Sequence, residues 1–335
     1  MKPVFPTIYS TLSPAALATL VSEKYGIKNT QCKLLVRGVG DTYLVESPGH
    51  RFILRIYRST HRGLPQVQAE TTLLLALQQA HVSVSYPIAD LSGQYIQQLN
   101  AAEGLRPAVL FSYAPGQPAS ILTDGQLISL GHEMARFHNV SASIRLNGER
   151  WNFDLSSMFF QPLITLKQAF ADNPEDYAWL QQAAQKAANR LTQMDTAAFS
   201  SGYCHFDFLA KNFHFDGDKI TFFDFDFLGH GWLVNDVMTF WQHLCLDVHF
   251  GRMDQATADK AYAVFIKAYR DCRPISDREL AAVPYLSLGF WLFYGAFHTT
   301  HDQFYAFVQP AHLKLRAGLI RRLMEKYWDN EMTTV

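Results

Sequence analysis

The residues best suited to chemistry lie in one stretch of the chain, positions 204 to 226. Asp207 is followed five residues later by Asn212. An Asp-Gly-Asp turn signal at 216–218 separates two apolar runs, which predicts a β-hairpin. The second run ends at Asp224, so the hairpin returns this residue towards the end where Asn212 begins. Carboxylates and an amide are therefore expected to lie together at one end of the hairpin.

This combination of side chains suits phosphoryl transfer to a hydroxyl group. One carboxylate would orient and deprotonate the hydroxyl of the acceptor. An amide oxygen and a second carboxylate would supply oxygen atoms, the ligands that Mg²⁺ prefers. Asp226 could add a second metal contact, although a solvated or structural carboxylate would give the same pattern.

The order of these residues resembles the catalytic core of the protein-kinase-like small-molecule kinases. This phosphotransferase enzyme family includes aminoglycoside phosphotransferases, choline kinases and type II homoserine kinases. The shared pattern is His205-x-Asp207 with Asn212 after it, then a hairpin whose second strand ends in Asp224. The resemblance implies that Asp207 is the catalytic base, and that Asn212 and Asp224, with Asp226 as a further candidate, hold the metal. It implies ATP, or GTP in its place, and Mg²⁺ as cofactors.

The same resemblance implies the fold and the division of the chain. We expect an α+β, protein-kinase-like fold of two lobes. Residues 1–115 would form a nucleotide-binding N-lobe around a small antiparallel β-sheet. Residues 116–335 would form a larger, mainly α-helical C-lobe that carries the catalytic and acceptor-binding residues.

The N-terminal part of the sequence must supply the nucleotide site. After a helix that Ser13-Pro14 begins and Gly26 ends, the pattern predicts strands at 33–37, 42–46 and 51–58. Gly38 and Gly40 lie in the turn between the first two strands. Such a turn can bring backbone N–H groups close to phosphates, although an ordinary hairpin looks the same. In the resembling families a glycine loop covers the nucleotide at this place.

A second candidate feature of this region is an ion pair. Arg55 lies in the middle of the third strand between apolar residues, and Glu70 lies on the apolar face of a helix predicted at about 66–80. Buried charges need partners, so we expect Arg55 to pair with Glu70, although an edge-strand Arg reaching water remains an alternative. The pair resembles the strand–helix ion pair of kinases, with Arg in place of the usual Lys.

Further extended segments are predicted at 82–89, 93–98 and 108–111. The last one leads into Pro115-Gly116, which breaks the chain. The resemblance makes this segment the hinge, with the backbone of Phe111, Ser112 and Tyr113 facing the adenine. We place the lobe boundary near Gly116, although an ordinary loop would show the same sequence pattern.

The rest of the chain is predicted to be mostly helical, with helices at 124–139, 174–194, 235–246, 255–272, 277–298 and 310–327. Asp236 is predicted to cap the third of these. The resemblance gives it a structural role in bracing the catalytic loop. The aromatic segment 290–297 fits a core helix, or the wall of an acceptor pocket, for example for a cationic acceptor.

Composition narrows the function classes. The 335-residue chain is 48% hydrophobic and 18% charged with a net charge of −1, so its overall charge gives no case for a nucleic-acid or membrane partner. The four cysteines form no Cys-x-x-Cys pair, which disfavours a thiolate zinc site and fits a reducing cytoplasm. We expect neither a secretion signal nor a membrane span. Oligomeric state is left open.

The expected function is an ATP-dependent kinase that transfers the γ-phosphoryl group to a hydroxyl of a small acceptor. The acceptor would be an amino alcohol, an amino acid or an aminoglycoside. Two alternatives remain. One is a metal-dependent hydrolase built on the cluster His205, Asp207, His214, Asp224 and His230. The other is a nucleotide-binding regulator without catalytic activity.

Overall fold

The computed structural model describes residues 5–147 and 150–328. The chain divides into two compact units. The first extends to Gln117 and takes in Arg145–Arg150 and Thr221–Phe223. The second contains Pro118–Ile144, Trp151–Ile220 and the chain from Asp224 onward.

The first unit is built on a five-stranded antiparallel sheet with the order β1-β2-β3-β5-β4. Its elements are α1 (Pro14–Tyr25), β1 (Gln31–Arg37), β2 (Gly40–Ser47), β3 (His50–Tyr57), α2 (Leu64–Gln79), β4 (Ile96–Ala101) and β5 (Gly104–Ser112). The helix α1 has the predicted bounds because Ser13 caps its first turn and Gly26, with φ 69°, ends it. The apolar face of α1 packs against the inner side chains of β2, β3 and β5.

A buried ion pair fixes the start of β2. Arg106 of β5 donates to Asp41 through Nη2 at 2.9 Å, and neither side chain is exposed. Arg106 also donates to the backbone oxygens of Tyr57 at 3.0 Å and Ser10 at 2.7 Å. Because the guanidinium is hydrogen-bonded on several sides, its burial is compensated. Asp41 directly follows Gly40, so this network holds one end of the glycine turn.

The predicted extended segments before the hinge are partly wrong. Residues 82–89 form no strand but two isolated bridges, Val84 with Phe222 and Pro87 with Phe111. The segment predicted at 93–98 is β4, which begins later. The strand β5 begins at Gly104, four residues before the predicted start, because Gly104 adopts φ 118° and pairs with Ala101 across a tight turn.

The second unit is mainly helical, as expected. Its helices are α3 (Asp124–Ser141), α4 (Gln161–Leu166), α5 (Pro174–Thr192), α6 (Val234–His249), α7 (Gln255–Cys272), α8 (Asp277–Thr299) and α9 (Pro310–Trp328). Its strands are β6 (Trp151–Phe153), β7 (Ser201–Cys204), β8 (Phe213–Asp216) and β10 (Gly229–Trp232), and β8 continues into β9 (Lys219–Phe222) through the predicted hairpin turn. The strands β6, β10 and β7 form a small sheet in that order, which the sequence did not predict.

Local signals explain where the long helices begin. Thr123 with Gln126 and Ser276 with Glu279 form capping boxes at α3 and α8. The helices α3 and α7 pack closely at Gly131, where a Cβ atom would lie 2.5 Å from the backbone oxygen of Phe265. Only glycine permits this approach.

The helix α8 is long and apolar enough to span a membrane by length and composition, which the sequence analysis did not anticipate. In its most apolar window, 67% of the helix is buried inside the protein. It packs against α4, α5, α6 and α9. A buried core helix of this kind meets the same length and composition criteria.

Candidate active site

Asp207 lies in the loop after β7 and is 2% exposed. Its Oδ2 atom accepts hydrogen bonds from Asn212 Nδ2 at 2.7 Å and from Lys211 Nζ at 3.1 Å. Its Oδ1 atom is buried and takes part in neither of these contacts, and the carboxylate also interacts with the Tyr294 hydroxyl. Asn212 and Lys211 thus anchor one carboxylate oxygen and leave the other to different partners.

Asn212 ends a short 3₁₀ turn, Ala210–Asn212, and is 2% exposed. Its Nδ2 also donates to the backbone oxygen of Asp207 at 2.8 Å. Since the amide nitrogen is committed to Asp207, the amide oxygen is the atom left for a metal.

Asp224 and Asp226 are close to this loop. Burial raises the pKa of Asp207, Lys211 and His205 lower it, and the charge of Asp224 raises it again. Asp224 itself adopts φ 63° and ψ 63°, a left-handed conformation that is uncommon outside glycine and is often found at functional sites. Asp226 is 1% exposed and lies on the 3₁₀ turn that follows. The donor set of two carboxylates and an amide oxygen fits a magnesium ion.

The loop that leads to Asp207 is held by Asp236. This carboxylate accepts the backbone N–H groups of His205 at 2.9 Å and Phe206 at 2.7 Å. Phe206 has φ 62°, a left-handed conformation that costs a non-glycine residue about 1–2 kcal/mol. The two hydrogen bonds offset that cost and fix the direction in which the chain enters Asp207.

The prediction that Asp236 caps a helix is wrong. The helix α6 begins at Val234 with Leu233 at the capping position, so Asp236 lies inside the first turn. Its carboxylate is fully buried and accepts hydrogen bonds from the loop at 205–206. The contacts are those of a residue that braces this loop.

A buried histidine supports Asp236 from behind. Nε2 of His138 lies 3.0 Å from Asp236 Oδ2, and Nδ1 lies 2.8 Å from the hydroxyl oxygen of Tyr269. Burial lowers the pKa of His138, although Asp236 opposes the shift. The contacts run from α7 through α3 and α6 to the loop, so three helices position Asp207.

His205 supports the loop from within. Its Nδ1 atom accepts the backbone N–H of Asp207 at 3.2 Å. Its ring stacks on Phe208, with centroids 4.5 Å apart, and contacts Phe225 at 4.4 Å. These contacts orient the loop at Asp207 and give His205 a structural role.

Tyr294 of α8 is a site residue that the motif did not reveal. Burial raises its pKa well above the ordinary value, and the charge of Asp207, a hydrogen bond to the Asp207 carboxylate and the charges of Asp224 and Asp226 raise it further. Its hydroxyl oxygen is buried. Its position in the aromatic segment 290–297, which was considered for an acceptor pocket, was the only available sequence signal.

In the first unit, Gly40 and Arg55 lie against each other. A Cβ atom on Gly40 would lie 3.4 Å from Arg55 Nε and 3.2 Å from the backbone oxygen of Ile56, so the approach of β3 to this turn favours glycine. Gly38 lies in the same turn, and its N–H donates to the oxygen of Gly40 at 3.0 Å. Arg55 is 9% exposed.

Glu70 lies on the buried face of α2 and is 2% exposed. Its Oε1 accepts a hydrogen bond from the Tyr57 hydroxyl at 3.0 Å. Its Oε2 lies 3.8 Å from Nη1 of Arg150, a cation that the sequence analysis missed. The pairing of Arg55 with Glu70 stays a prediction.

Phe111 and Ser112 end β5, and Tyr113 follows it. The backbone N–H of Ser112 donates to Tyr86 O at 2.9 Å, and its backbone oxygen accepts from the Ser85 hydroxyl at 2.5 Å. The Ser112 backbone is thus engaged inside the unit, so an adenine contact would fall to Phe111 or Tyr113. The guanidinium of Arg51 lies 4.1 Å from the centroid of the Tyr113 ring.

The histidine-rich cluster considered for a hydrolase does not assemble. Among the described residues, no group of three or more His, Cys, Asp or Glu side chains could hold a metal ion. A site completed by the amide oxygen of Asn212 is of a different kind, because Asn is outside that set.

The paired strands, the braced loop and the Asp207–Asn212 arrangement define a protein-kinase-like phosphotransferase. The chain belongs to the phosphotransferase enzyme family, whose model matches residues 32–275. The enzyme is accordingly a phosphotransferase that acts on a hydroxyl group.

Three curated relatives align with most of the chain. An uncharacterized protein of Deinococcus radiodurans is 33% identical over 84% of this chain and 80% of its own length. The amicoumacin kinase of Bacillus subtilis is 25% identical over 83% of both chains. A homoserine kinase of Paramagnetospirillum magneticum is 26% identical over 84% of both chains.

Solved structures confirm the predicted fold class. An amicoumacin kinase in complex with AMP-PNP, Ca²⁺ and Ami has a TM-score of 0.72 at 18% identity, covering 94% of both chains. A microcompartment-associated aminopropanol kinase has a TM-score of 0.71 at 21% identity, covering 93% of this chain and 98% of the other.

Proposed function

We propose that the protein is an ATP-dependent kinase that transfers the γ-phosphoryl group to a hydroxyl of a small acceptor. One observation carries this proposal. Asp207 is a buried carboxylate with Oδ2 held by Asn212 and Lys211, and its Oδ1 takes part in neither of these contacts. The Tyr294 hydroxyl also interacts with this carboxylate, so a ligand hydroxyl can donate to Oδ1 beside a second hydroxyl group.

Asp207 acts as the base in this proposal. The acceptor hydroxyl donates a hydrogen bond to Oδ1, which orients its oxygen lone pair towards the phosphorus. As the new O–P bond forms, the proton moves to Oδ1 and the nucleoside diphosphate leaves. The raised pKa of Asp207, caused first by burial, makes it a better proton acceptor than an exposed aspartate.

Asn212 Oδ1, Asp224 and Asp226 are the proposed ligands of Mg²⁺. A magnesium ion at this position would neutralise charge on the phosphates of the nucleotide. Lys211 is 63% exposed at its side chain and holds the anchored oxygen of Asp207, so it tunes the base rather than the metal.

The first unit is proposed to bind the nucleotide. The Gly38–Gly40 turn would approach the phosphates with backbone N–H groups, and Arg55, set by Glu70, would supply positive charge to them. The hydrogen bond from Tyr57 to Glu70 supports this proposal because it fixes the Glu70 carboxylate. The backbone of Phe111 or Tyr113 would contact the purine. Because backbone groups can bind either purine, the nucleotide can be ATP or GTP.

The acceptor is proposed to be a small hydroxyl compound of the amino alcohol, amino acid or aminoglycoside classes. The names of the relatives, amicoumacin kinase and homoserine kinase, and of the aminopropanol kinase structure support that range. All four cysteines lie in the described residues and are free, which supports a reducing, cytoplasmic location.

A coupled assay tests the proposal. Purified protein with Mg²⁺ and ATP is presented with a panel of small alcohols, amino alcohols, hydroxy amino acids and aminoglycosides. We expect at least one compound to stimulate ADP formation and to gain one phosphoryl group, seen by mass spectrometry. Nucleotide binding without stimulated turnover across the panel would favour the regulator, and chelator-sensitive hydrolysis of the compounds without ATP would favour the hydrolase.

A further inference from the structure

Three buried hydrogen-bond donors lie on α8 and α9, namely Trp291 Nε1, the hydroxyl group of Tyr294 and Nη1 of Arg316, which we call the donor cluster. Trp291 Nε1 and Arg316 Nη1 have no acceptor among the described residues, whereas the Tyr294 hydroxyl interacts with the carboxylate of Asp207. Each unmet donor costs free energy in the unliganded protein. Acceptor oxygens of a ligand can satisfy both of them.

These groups lie on one side of α8. Residues three and four positions apart on a helix are neighbours, so Trp291, Tyr294 and His298 share a face. Arg316 reaches the same side from α9. Its Nη2 lies 3.2 Å from His298 Nδ1, and a Cβ atom on Gly295 would lie 3.7 Å from its Nη1.

The Arg316 end of the cluster is positively charged. Within the part of the chain that the structure describes, no carboxylate lies within salt-bridge distance of Arg316. Burial, together with the charges of Arg316, His301 and Lys211, lowers the pKa of His298 to about 4. Since His298 Nδ1 accepts from the guanidinium, this histidine is neutral and cannot offset the charge. A partly buried guanidinium of this kind favours an anionic ligand.

The other end of the donor cluster, Tyr294, is close to Asp207, the proposed base. Tyr294 interacts with Asp207 through charge and a hydrogen bond, and with the charges of Asp224 and Asp226. His298 follows Tyr294 by one helical turn, which separates their Cβ atoms by roughly 5–6 Å. One small molecule can therefore place a hydroxyl group at Asp207 and a charged group at Arg316.

We propose that Arg316 binds the carboxylate of the acceptor and that the acceptor is a small hydroxy acid, with or without an amine. This inference rests on the proposed kinase function and narrows its acceptor. The Tyr294 hydroxyl donates to an oxygen of the same molecule between the two ends. An acceptor whose only charge is an ammonium meets the like charge of Arg316 and is disfavoured there.

A matched series of acceptors tests this subsite. The compounds are L-homoserine and 4-hydroxybutyrate, the uncharged 4-hydroxybutyramide, and the cations 4-amino-1-butanol and 1-amino-2-propanol. We expect the acids to be phosphorylated with kcat/KM about 10- to 100-fold above the amide, the range of one charge-assisted contact. Equal values for acid and amide, or a preference for the cations, would overturn the proposal.

Variants of Arg316 separate binding from folding. Arg316→Gln is expected to raise KM for the acid about 10- to 100-fold while KM for ATP stays unchanged, and Arg316→Lys to restore part of the loss. Arg322→Gln, an exposed arginine on the same helix, is the matched control and should have no effect. The thermal unfolding temperature of each variant shows whether it is folded. If Arg316→Gln is unfolded, kcat/KM for the acid, the amide and the amines is compared between Arg316→Lys and wild type instead. An unchanged acid KM in a folded variant would contradict the subsite.

A binding measurement distinguishes failure of the subsite from failure of the kinase proposal. Calorimetric titration of 4-hydroxybutyrate, without ATP, is compared between wild type and Arg316→Gln. Binding that needs Arg316, with no turnover of any hydroxyl compound, would support the subsite and contradict the kinase. Turnover of amino alcohols without Arg316-dependent binding of the acid would support the kinase and contradict the subsite.

Discussion

The side-chain amide of Asn212 donates to Asp207 twice, to Oδ2 at 2.7 Å and to the backbone oxygen at 2.8 Å. The first hydrogen bond fixes the rotation of the carboxylate, and the second fixes the loop that carries it. Both use the nitrogen of the amide, so the oxygen remains for a metal. One residue thus couples the orientation of the base to the position of the proposed metal.

Removal of Asp224 should weaken magnesium-dependent nucleotide binding more than removal of Asp226. Asp224 follows the hairpin, close to the loop that carries Asp207, and its charge raises the pKa of Asp207. Asp226 lies on the 3₁₀ turn that follows. Titration of ATP with and without Mg²⁺ into Asp224→Ala and Asp226→Ala measures the difference. An equal or reversed order would move the principal metal ligand to Asp226.

Asp236→Asn should lower both stability and turnover. The amide keeps only one oxygen acceptor for the N–H groups of His205 and Phe206, so one buried donor is left unmet at a cost of about 1–3 kcal/mol. Urea unfolding measures the first effect, and kcat at a temperature where the variant stays folded measures the second. Asp259→Asn, an exposed aspartate on α7, is the control. Wild-type kcat and stability would show that the Asp236 contacts do not position the base.

The acid limb of the pH–rate profile should report Asp207. Its pKa is raised above the ordinary aspartate value of 3.8, chiefly by burial. Since the base works only when deprotonated, kcat/KM should fall as pH drops through this raised pKa, above pH 3.8. Lys211 lowers this pKa, so Lys211→Ala should move the acid limb to higher pH. Lys219→Ala, an exposed lysine on the hairpin, should leave the limb in place, and a shift in the opposite direction for Lys211→Ala would contradict the assignment.

Arg55 and Glu70 should act together. Glu70→Ala is expected to lower kcat, and Arg55→Ala to raise the KM for the nucleotide as well, because both residues serve the phosphates in the proposal. A double-mutant cycle on kcat/KM should give a coupling energy of about 0.5–3 kcal/mol. Glu46→Ala, an exposed glutamate on β2, is the control. Additive losses in kcat/KM for the two alanine variants would show that the residues act independently and would contradict the predicted kinase-like ion pair.

The sequence predicted the elements that carry strong local signals. The helix α7 has the bounds predicted, 255–272, and α1 lies between its Ser-Pro start and Gly stop. The hairpin β8–β9 follows from its Asp-Gly-Asp turn. In each case the deciding interactions are between neighbours in the chain, so pattern and composition contain them.

Contacts between distant segments were missed because no local pattern encodes them. The strands β6, β7 and β10 have only three or four residues each, and they form only because each pairs with another segment. Asp236 looked like a cap because its own helix begins nearby, yet its partners lie in the loop at 205–206. The contribution of Tyr294 and Arg316 depends on how α8 and α9 pack, which aromatic content alone does not reveal.

The substitution Asp207→Asn tests the central claim most directly. The amide keeps the size of the side chain but cannot take a proton, and loss of a general base typically lowers the rate about 10²- to 10⁴-fold. The measurement is kcat for phosphorylation of a confirmed acceptor, with ATP affinity and thermal unfolding as checks on the fold and Asp216→Asn, an exposed aspartate on the hairpin, as the control. The account predicts a loss of this size in Asp207→Asn with nearly unchanged ATP binding and stability. Turnover near the wild-type rate in that variant would contradict the assignment of Asp207 as the base.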